Sequence, residues 1–450
     1  MPDSRMRIFL TFVSALVLVS LARAQEAAPF AFQLAGQGNP FRAMMVVQVQ
    51  NELNCAKIVA ELSDDQADKI LENLDDLIEE EAEKAIQGGD PMAAMGGFRS
   101  WGDAVLVEAK EILPEKAFKT YQADLALRNK FQRRGAQRAF LSGLDRYLQL
   151  NNKQQAAVAK VLMSSWKDGW NQLGQIGSQA AVGLITIKGP LKELPQDELK
   201  AAMSESQWAA LEGIFELEMT AMADQVGLAN LQGSATGMLK LEEMTELCGL
   251  SEAQSAKLRK TIDTVLAESL ELKSEAMKAI QGGNFQMEAI QDIGRPVQQM
   301  MFKSDSWTET VDEVLTKEQA AKYAVRQESR DKRNAASVVS TLATSLSQQA
   351  GGMTGKQQIA LAKMFEKKFP GNLAEDPLAM TKTLVDIPDE EYKKILNDQQ
   401  WEKMSAMLQA MGQQVAGGGI GPPPAITVEQ PDLPPAITVE QPVEEPEDPR

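Results

Sequence analysis

Leu315-Thr316-Lys317-Glu318-Gln319 has the composition of a helix start. An apolar residue comes first and is followed by Thr, two variable residues and Gln. The Thr hydroxyl can accept a hydrogen bond from a free backbone N–H group of the first helical turn, and the Gln side chain can accept one from the backbone N–H of the Thr. These five residues therefore predict that a helix begins directly after Thr316.

The same pattern, with Ser, Thr or Asn in the second place, occurs seven times along the chain. Its cap and glutamine residues are Ser63 and Gln66, Asn151 and Gln154, Ser204 and Gln207, Ser251 and Gln254, Thr316 and Gln319, Thr354 and Gln357, and Asn397 and Gln400. An eighth, degenerate copy spans 113–117, where Pro114 and Ala117 replace the cap and the glutamine. Four copies in each half of the chain predict at least four helices per half.

The residues between these motifs also favour helices. Apolar residues at 70, 74, 77 and 78 share one helical face, and the acidic residues of 75–83 occupy much of the remainder. The one short candidate for a strand is 184–187, a run of Leu, Ile, Thr and Ile. We therefore predict an all-α protein built from antiparallel helical hairpins or bundles.

The two halves of the chain resemble each other. Ala85-Ile86-Gln87-Gly88-Gly89 recurs as Ala279-Ile280-Gln281-Gly282-Gly283, and the four motif copies of one half pair in order with the four of the other. This self-similarity predicts a tandem duplication of a multi-helix unit. We place unit 1 at 45–230 and unit 2 at 238–415, joined by a glycine-containing linker at 231–237.

Both ends of the chain differ from the helical body. Residues 1–24 have the basic start, apolar run and small-x-small site of a secretory signal peptide, so we predict an exported protein, periplasmic or secreted in a bacterium. Residues 25–44 form a polar lead-in. Residues 416–450 hold nine of the 20 prolines and seven acidic residues against one Arg, which predicts a disordered tail. We expect no transmembrane segment in the mature chain.

Export bears on the chain's two cysteines. An oxidising compartment permits disulfides, so a bond between Cys55 and Cys248 is one prediction. Two free thiols or an intermolecular bond are the alternatives.

The composition excludes several kinds of chemistry. The 450 residues include no histidine, which excludes Ser-His-Asp and Cys-His catalysis and histidine-based metal sites. The net charge of −17 disfavours nucleic acid as a partner, because phosphate contacts need clustered Lys and Arg. We predict a protein that is not an enzyme and has no cofactor and no metal site.

Basic residues concentrated in one predicted helix of each unit are the clearest candidates for partner binding. They are Arg128, Lys130, Arg133, Arg134 and Arg138 in unit 1, and Arg326, Arg330, Lys332 and Arg333 in unit 2. In so acidic a chain they could bind an acidic partner or the carboxylates of an unfolded protein. The alternative is a solvated face that pairs with the acidic helix around 75–83.

The repeated cap motif resembles the LTxxQ signature of small helical proteins of the bacterial periplasm, typified by Spy and CpxP. The resemblance is carried by the seven motif copies. It implies an all-α protein that binds partly unfolded proteins without ATP. We therefore expect an exported, non-enzymatic, protein-binding protein, a holdase-like chaperone or an envelope stress factor. The alternative expectation is a structural or scaffolding protein of the cell envelope.

Overall fold

The computed structural model describes residues 40–87, 100–172, 183–216, 225–281, 295–369 and 377–417. Across these ranges the chain forms eighteen α-helices, one 3₁₀-helix and no β-strand, which confirms the predicted all-α class. The predicted signal peptide, residues 25–39 of the lead-in and the tail beyond Gly417 lie outside the described residues.

Nine of these α-helices lie in the first half of the chain. They are α1 Pro40–Ala60, α2 Asp64–Asn73, α3 Asp75–Gln87, α4 Trp101–Ile112, α5 Glu115–Leu148, α6 Asn152–Ser164, α7 Gly183–Glu193, α8 Gln196–Ala201 and α9 Glu205–Glu216. A 3₁₀-helix covers Asp168–Gln172, between α6 and α7.

The other nine lie in the second half. They are α10 Gln225–Cys248, α11 Glu252–Gln281, α12 Val297–Phe302, α13 Asp305–Val314, α14 Lys317–Gln349, α15 Gly355–Lys368, α16 Pro377–Asp386, α17 Asp389–Lys393 and α18 Asp398–Gly417.

The two longest described helices, α5 and α14, pack against each other in antiparallel orientation. Ser142 Oγ donates to Asn334 Oδ1 at 2.6 Å, and Arg138 Nη1 donates to Ser340 Oγ at 3.4 Å. Residue numbers thus fall along one helix as they rise along the other. With 34 and 33 residues, each helix is about 50 Å long.

Four apolar clusters flank this central pair. The first joins α1–α4 to the start of α5, and the second joins the end of α5 to α6–α9. The third joins α10–α13 to the start of α14, and the fourth joins the end of α14 to α15–α18. Each long helix therefore contributes to two separate cores, which ties the clusters on either side of it together.

The predicted linker at 231–237 is wrong, because α10 runs through it without a break. A Cβ atom on Gly233 would lie 2.4 Å from Leu266 Cδ1, and one on Gly237 would lie 2.5 Å from Ile262 Cγ2. The glycines therefore allow α11 to pack closely against α10. A sequence cannot by itself separate this use of glycine from its use in a flexible joint.

Two smaller predictions are also corrected. Residues 184–187 belong to α7, so the one candidate strand is helical. Ile187 is buried in the second apolar cluster, and this packing against helices outweighs a short β-branched run. Helix α1 begins at Pro40, inside the predicted lead-in, and proline suits the first position of a helix.

Candidate functional site

All seven predicted helix caps form. Ser63, Asn151, Thr316 and Thr354 each accept from the backbone N–H of the motif glutamine, whose side chain accepts from the cap residue's own N–H. The same two hydrogen bonds are present at Ser204, Ser251 and Asn397. The motif thus begins α2, α6, α9, α11, α14, α15 and α18.

The motif glutamines have a second role that the sequence did not indicate. Six of them form three reciprocal amide pairs, with Nε2 of the first donating to Oε1 of the second and the reverse. The pairs and their shorter distances are Gln154 with Gln207 at 2.7 Å, Gln254 with Gln319 at 2.9 Å, and Gln357 with Gln400 at 2.7 Å. Each pair therefore joins the N-termini of two helices.

We expect Gln400→Ala to lower the free energy of unfolding by about 2 kcal/mol, because it leaves buried polar groups without partners. Gln400 is 4% exposed, and its Nε2 also donates to the Gly352 carbonyl at 2.6 Å. Gln66→Ala is the matched control, since among the described residues Gln66 makes the cap hydrogen bonds with Ser63 and no amide pair. It should lose only the cap bond, about 0.5–1 kcal/mol. Equal losses in urea unfolding would contradict a role for the amide pair.

Three of the nine candidate basic residues are buried in ion pairs within the protein. Arg326 and Arg330 belong to a cluster with Asp145, Lys240 and Glu243, which we call the central charge cluster. Glu243 Oε1 lies 2.8 Å from Arg326 Nε and 2.9 Å from Arg330 Nη2, and Arg330 Nη2 lies 3.2 Å from Asp145 Oδ1. The cluster joins α5, α10 and α14.

Burial and neighbouring charges shift the pKa values of Lys240 and Glu243 in this cluster. Burial lowers the pKa of Lys240 to about 8, together with the nearby positive charge of Arg330 and against the pull of Glu243. Burial raises the pKa of Glu243, but the charges of Lys240 and Arg330 outweigh it and lower the value to about 2. Glu243 is therefore ionised at neutral pH.

Arg128 has a corresponding environment near the start of α5. Its Nη1 lies 2.7 Å from Glu52 Oε1, and its Nε lies 2.9 Å from Asp124 Oδ2. Asp124 Oδ1 also accepts from the backbone N–H of Gly355, at the start of α15. Arg128 is 2% exposed, so it stabilises the packing of α1 and α15 on α5 and cannot meet a partner.

The prediction of one basic binding face is therefore wrong for Arg128, Arg326 and Arg330. Lys130, Arg134, Arg138 and Lys332 are exposed, and Arg133 and Arg333 are half-buried. Two carboxylates of the acidic helix at 75–83 pair with a basic residue outside the nine candidates. Arg42 of α1 pairs with Asp75 at 2.5 Å and with Glu79 at 2.8 Å.

Both cysteines are free thiols, so the predicted disulfide does not form. Cys55 is buried in α1, and burial raises the pKa of its thiol to about 12. Cys248 lies at the end of α10, with its Sγ 3.6 Å from the carbonyl oxygen of Gln319. Each cysteine packs as a small apolar residue at a separate helix contact.

A groove lies on the surface where α1, α5 and α15 meet. Its volume is about 750 Å³, and we call it the lysine groove because Lys116, Lys119 and Lys356 stand along it. Val59, Ala123 and Leu127 supply apolar surface. The lysines are exposed. Of the two carboxylates that line the groove, Asp124 is held by Arg128 and Gly355, and Glu115 forms an exposed ion pair with Lys119 at 2.6 Å. An open, partly apolar groove with lysines on its rim suits an extended polypeptide that carries acidic side chains.

This groove was not predictable from the sequence. Lys116 and Lys356 are 240 positions apart in the chain, and none of the three lysines belongs to the nine candidate basic residues. Two of them lie within or directly after the helix-start motifs, Lys116 in the degenerate copy and Lys356 in the copy at 353–357. Basic residues inside the helix-start motifs are the one sequence signal that points to this groove.

Within the described ranges no group of three His, Cys, Asp or Glu side chains is placed to hold a metal ion. Over the same ranges, none of the helices has a stretch long and apolar enough to span a bilayer.

Comparison with protein-family models, with curated proteins and with solved structures found no match to this chain.

Proposed function

We propose that this is an exported, non-enzymatic, protein-binding protein that acts without ATP, in the manner of a holdase, by binding extended segments of partly unfolded proteins. The lysine groove carries the proposal. The export signal, the absence of histidine and the resemblance to the LTxxQ proteins of the periplasm are the sequence features that favour it.

The shape of the groove fits an extended chain. Along α5 it runs from Glu115 to Leu127, which is about 18 Å at the helical rise of roughly 1.5 Å per residue. An extended peptide covers that length with about five or six residues, at roughly 3.3 Å each. The walls are helices held by Arg128 and by the cap at Thr354, so the groove is formed before a partner arrives.

The chemistry of the groove fits many different sequences. Val59, Ala123 and Leu127 can take apolar side chains of any shape, which unfolded proteins expose. Lysine ammonium groups are flexible point charges, so they can meet a carboxylate without a fixed geometry. The chain as a whole is acidic, and the lysines therefore make this groove a local site for segments that contain both acidic and apolar residues.

Substituting the three groove lysines tests the proposal. We expect Lys116→Gln, Lys119→Gln and Lys356→Gln together to weaken binding of a labelled ten-residue peptide of alternating Glu and Leu by at least about tenfold. Three exposed ion contacts of roughly 0.5 kcal/mol each sum to that ratio. Fluorescence anisotropy measures the affinity, and light scattering measures whether aggregation of an acidic protein, unfolded by reducing its disulfides, is suppressed.

The matched control removes the same charge elsewhere. Lys69, Lys260 and Lys317 are exposed and lie outside the groove, so their three Gln substitutions should leave both readouts unchanged. Equal effects of the two triple variants would show a general charge effect and overturn the groove as the site. If the wild-type protein does not suppress aggregation even in excess, the holdase proposal fails and the scaffold alternative is favoured.

We further infer that the two halves arose by duplication, with equivalent helices at 40–216 and 225–417. The order of the helices supports this: α1, α4, α5, α6, α7, α8 and α9 correspond to α10, α13, α14, α15, α16, α17 and α18, and α2 with α3 corresponds to α11. The amide pair Gln154–Gln207 has its counterpart in Gln357–Gln400. In this alignment α10 belongs wholly to the second unit.

A further inference from the structure

A second, smaller groove lies between α5, α6 and α14 and includes Asp145 of the central charge cluster. Its volume is about 310 Å³. Arg138, Lys332 and Arg333 line it, and Ser142, Asp145 and Gln155 complete its polar surface. Three of the nine candidate basic residues therefore meet in one place, although they come from both halves of the chain.

Gln155 is a hydrogen-bond donor without a partner. Its side chain is 6% exposed, and its buried Nε2 makes no hydrogen bond with the described residues. An unsatisfied buried amide of this kind costs about 1–3 kcal/mol unless a ligand or water supplies an acceptor. The last side-chain torsion of Gln is broad, so Nε2 can turn towards an acceptor in the groove at little cost.

The carboxylate in this groove is already neutralised. Asp145 Oδ2 lies 3.3 Å from Arg333 Nη2, and Asp145 Oδ1 lies 3.2 Å from Arg330 Nη2. Arg326 Nη2 stands 3.9 Å from the same carboxylate. Three guanidinium groups thus share one carboxylate, and the negative charge of Asp145 does not repel an incoming anion.

Arg138 and Lys332, the other two cations of this groove, make only weak contacts with other described residues, so both can still bind an anion. Arg138 donates one long hydrogen bond, to Ser340. Lys332 pairs with Glu328 at 2.6 Å, but both side chains are more than half exposed, and such a pair is worth only about 0.3–0.5 kcal/mol. Burial lowers the pKa of Arg333, with smaller contributions from the charges of Arg326 and Arg330 and against the pull of Asp145.

We propose that this groove binds a phosphate group through Arg138, Lys332, Arg333 and the Nε2 amide of Gln155. All four offer N–H donors, and a phosphate presents several acceptor oxygens and a charge of about −1.5 to −2 at neutral pH. Arginine suits such an oxyanion because its planar guanidinium can donate two parallel hydrogen bonds. The volume is near the lower limit of roughly 300 Å³ for ligand pockets, so the ligand is small. The site is separate from the lysine groove and does not depend on the proposed function.

Calorimetric titration with inorganic phosphate at about 150 mM salt tests the site, because surface charges are largely screened under these conditions. We expect the wild-type protein to bind, and Arg138→Gln with Lys332→Gln to weaken binding by at least about tenfold, since two charge-assisted contacts are lost. The matched control is Lys130→Gln with Arg134→Gln, two exposed residues of α5 that lie outside the groove. It should bind phosphate like the wild type.

Two further arms make the result decisive. Gln155→Met keeps the side-chain size and removes the amide, and it should weaken phosphate binding about threefold or more while thermal unfolding shows an intact fold. O-phosphoserine is the second probe. A site for a phosphomonoester would bind O-phosphoserine more tightly than inorganic phosphate, whereas a site for free phosphate would bind inorganic phosphate at least as tightly as O-phosphoserine. The proposal is overturned if the wild type binds neither probe, if the groove and control double variants bind alike, or if succinate binds as tightly as phosphate.

Discussion

Arg330→Ala is expected to lower the free energy of unfolding by about 3–5 kcal/mol, because it removes a guanidinium group that two buried carboxylates share. Arg330 is 6% exposed and donates to Asp145 of α5 and to Glu243 of α10. Its removal therefore weakens the contact of α14 with two other helices at once. Urea unfolding followed by circular dichroism at pH 7 measures the loss.

The control is Lys332→Ala, two positions further along the same helix. Lys332 is exposed and pairs with the exposed Glu328, so the loss should stay below about 0.5 kcal/mol. Similar losses for the two variants would show that the central charge cluster contributes no more than a surface ion pair. Arg330→Met is informative beside them, because it restores side-chain volume and isolates the cost of the lost ion pairs.

The stability loss of Arg330→Ala should depend on pH. The pKa of Glu243 is lowered to about 2 in the folded protein, against an ordinary value of 4.5. A lowered carboxyl pKa contributes stability above the ordinary value and loses it as the pH falls towards the folded value. Part of this contribution comes from Arg330, so the stability gap between wild type and Arg330→Ala should narrow between pH 4.5 and pH 2. A gap that stays constant with pH would show that Arg330 acts through packing alone.

Local physics made the helix starts predictable. A cap such as Thr316 and the glutamine three residues later meet within one turn, so the sequence alone contains both partners of the hydrogen bonds. The all-α class followed from the same local signals. The amide pairs could not be predicted, because Gln357 meets Gln400 only after the intervening helices have packed.

Partners that are distant in sequence explain why the prediction of one exposed basic face is wrong for the buried arginines. Arg330 and Lys332 look alike in sequence, yet one is buried beside Asp145, 185 residues away, and the other faces solvent. The spacing of charges along a helix shows which residues share a face, and it does not show what that face packs against. The predicted linker is wrong for the same reason. Gly233 and Gly237 leave room for the side chains of α11, and they do not form a flexible joint.

Gly352→Ala is expected to lower the free energy of unfolding by about 3 kcal/mol or more, for two reasons that add. Gly352 has a φ of +93°, a conformation in which an L side chain costs about 1–2 kcal/mol. A Cβ atom there would also lie 2.2 Å from the backbone carbonyl oxygen of Asn51 and 2.9 Å from its carbon. Neither the turn after α14 nor helix α1 can relieve that overlap by moving one side chain.

The region around Gly352 joins the two halves of the protein, which amplifies the effect. Asn51 Nδ2 donates to the Gln348 carbonyl at 3.0 Å, and Asn54 Nδ2 donates to the Gly351 carbonyl at 2.9 Å. The Gly352 carbonyl also accepts from Gln400 Nε2. Displacing this turn from α1 therefore breaks hydrogen bonds on both sides of the contact.

Gly249→Ala is the control for Gly352→Ala. Gly249 has a φ of +63°, and a Cβ atom there would meet nothing within 4 Å. Only the conformational cost of about 1–2 kcal/mol applies, so in urea unfolding it should be clearly the milder change. If both variants lose the same free energy of unfolding, the close approach of Gly352 to Asn51 does not contribute to stability. If Gly352→Ala loses more, the difference measures how tightly α1 is packed against the turn that follows α14.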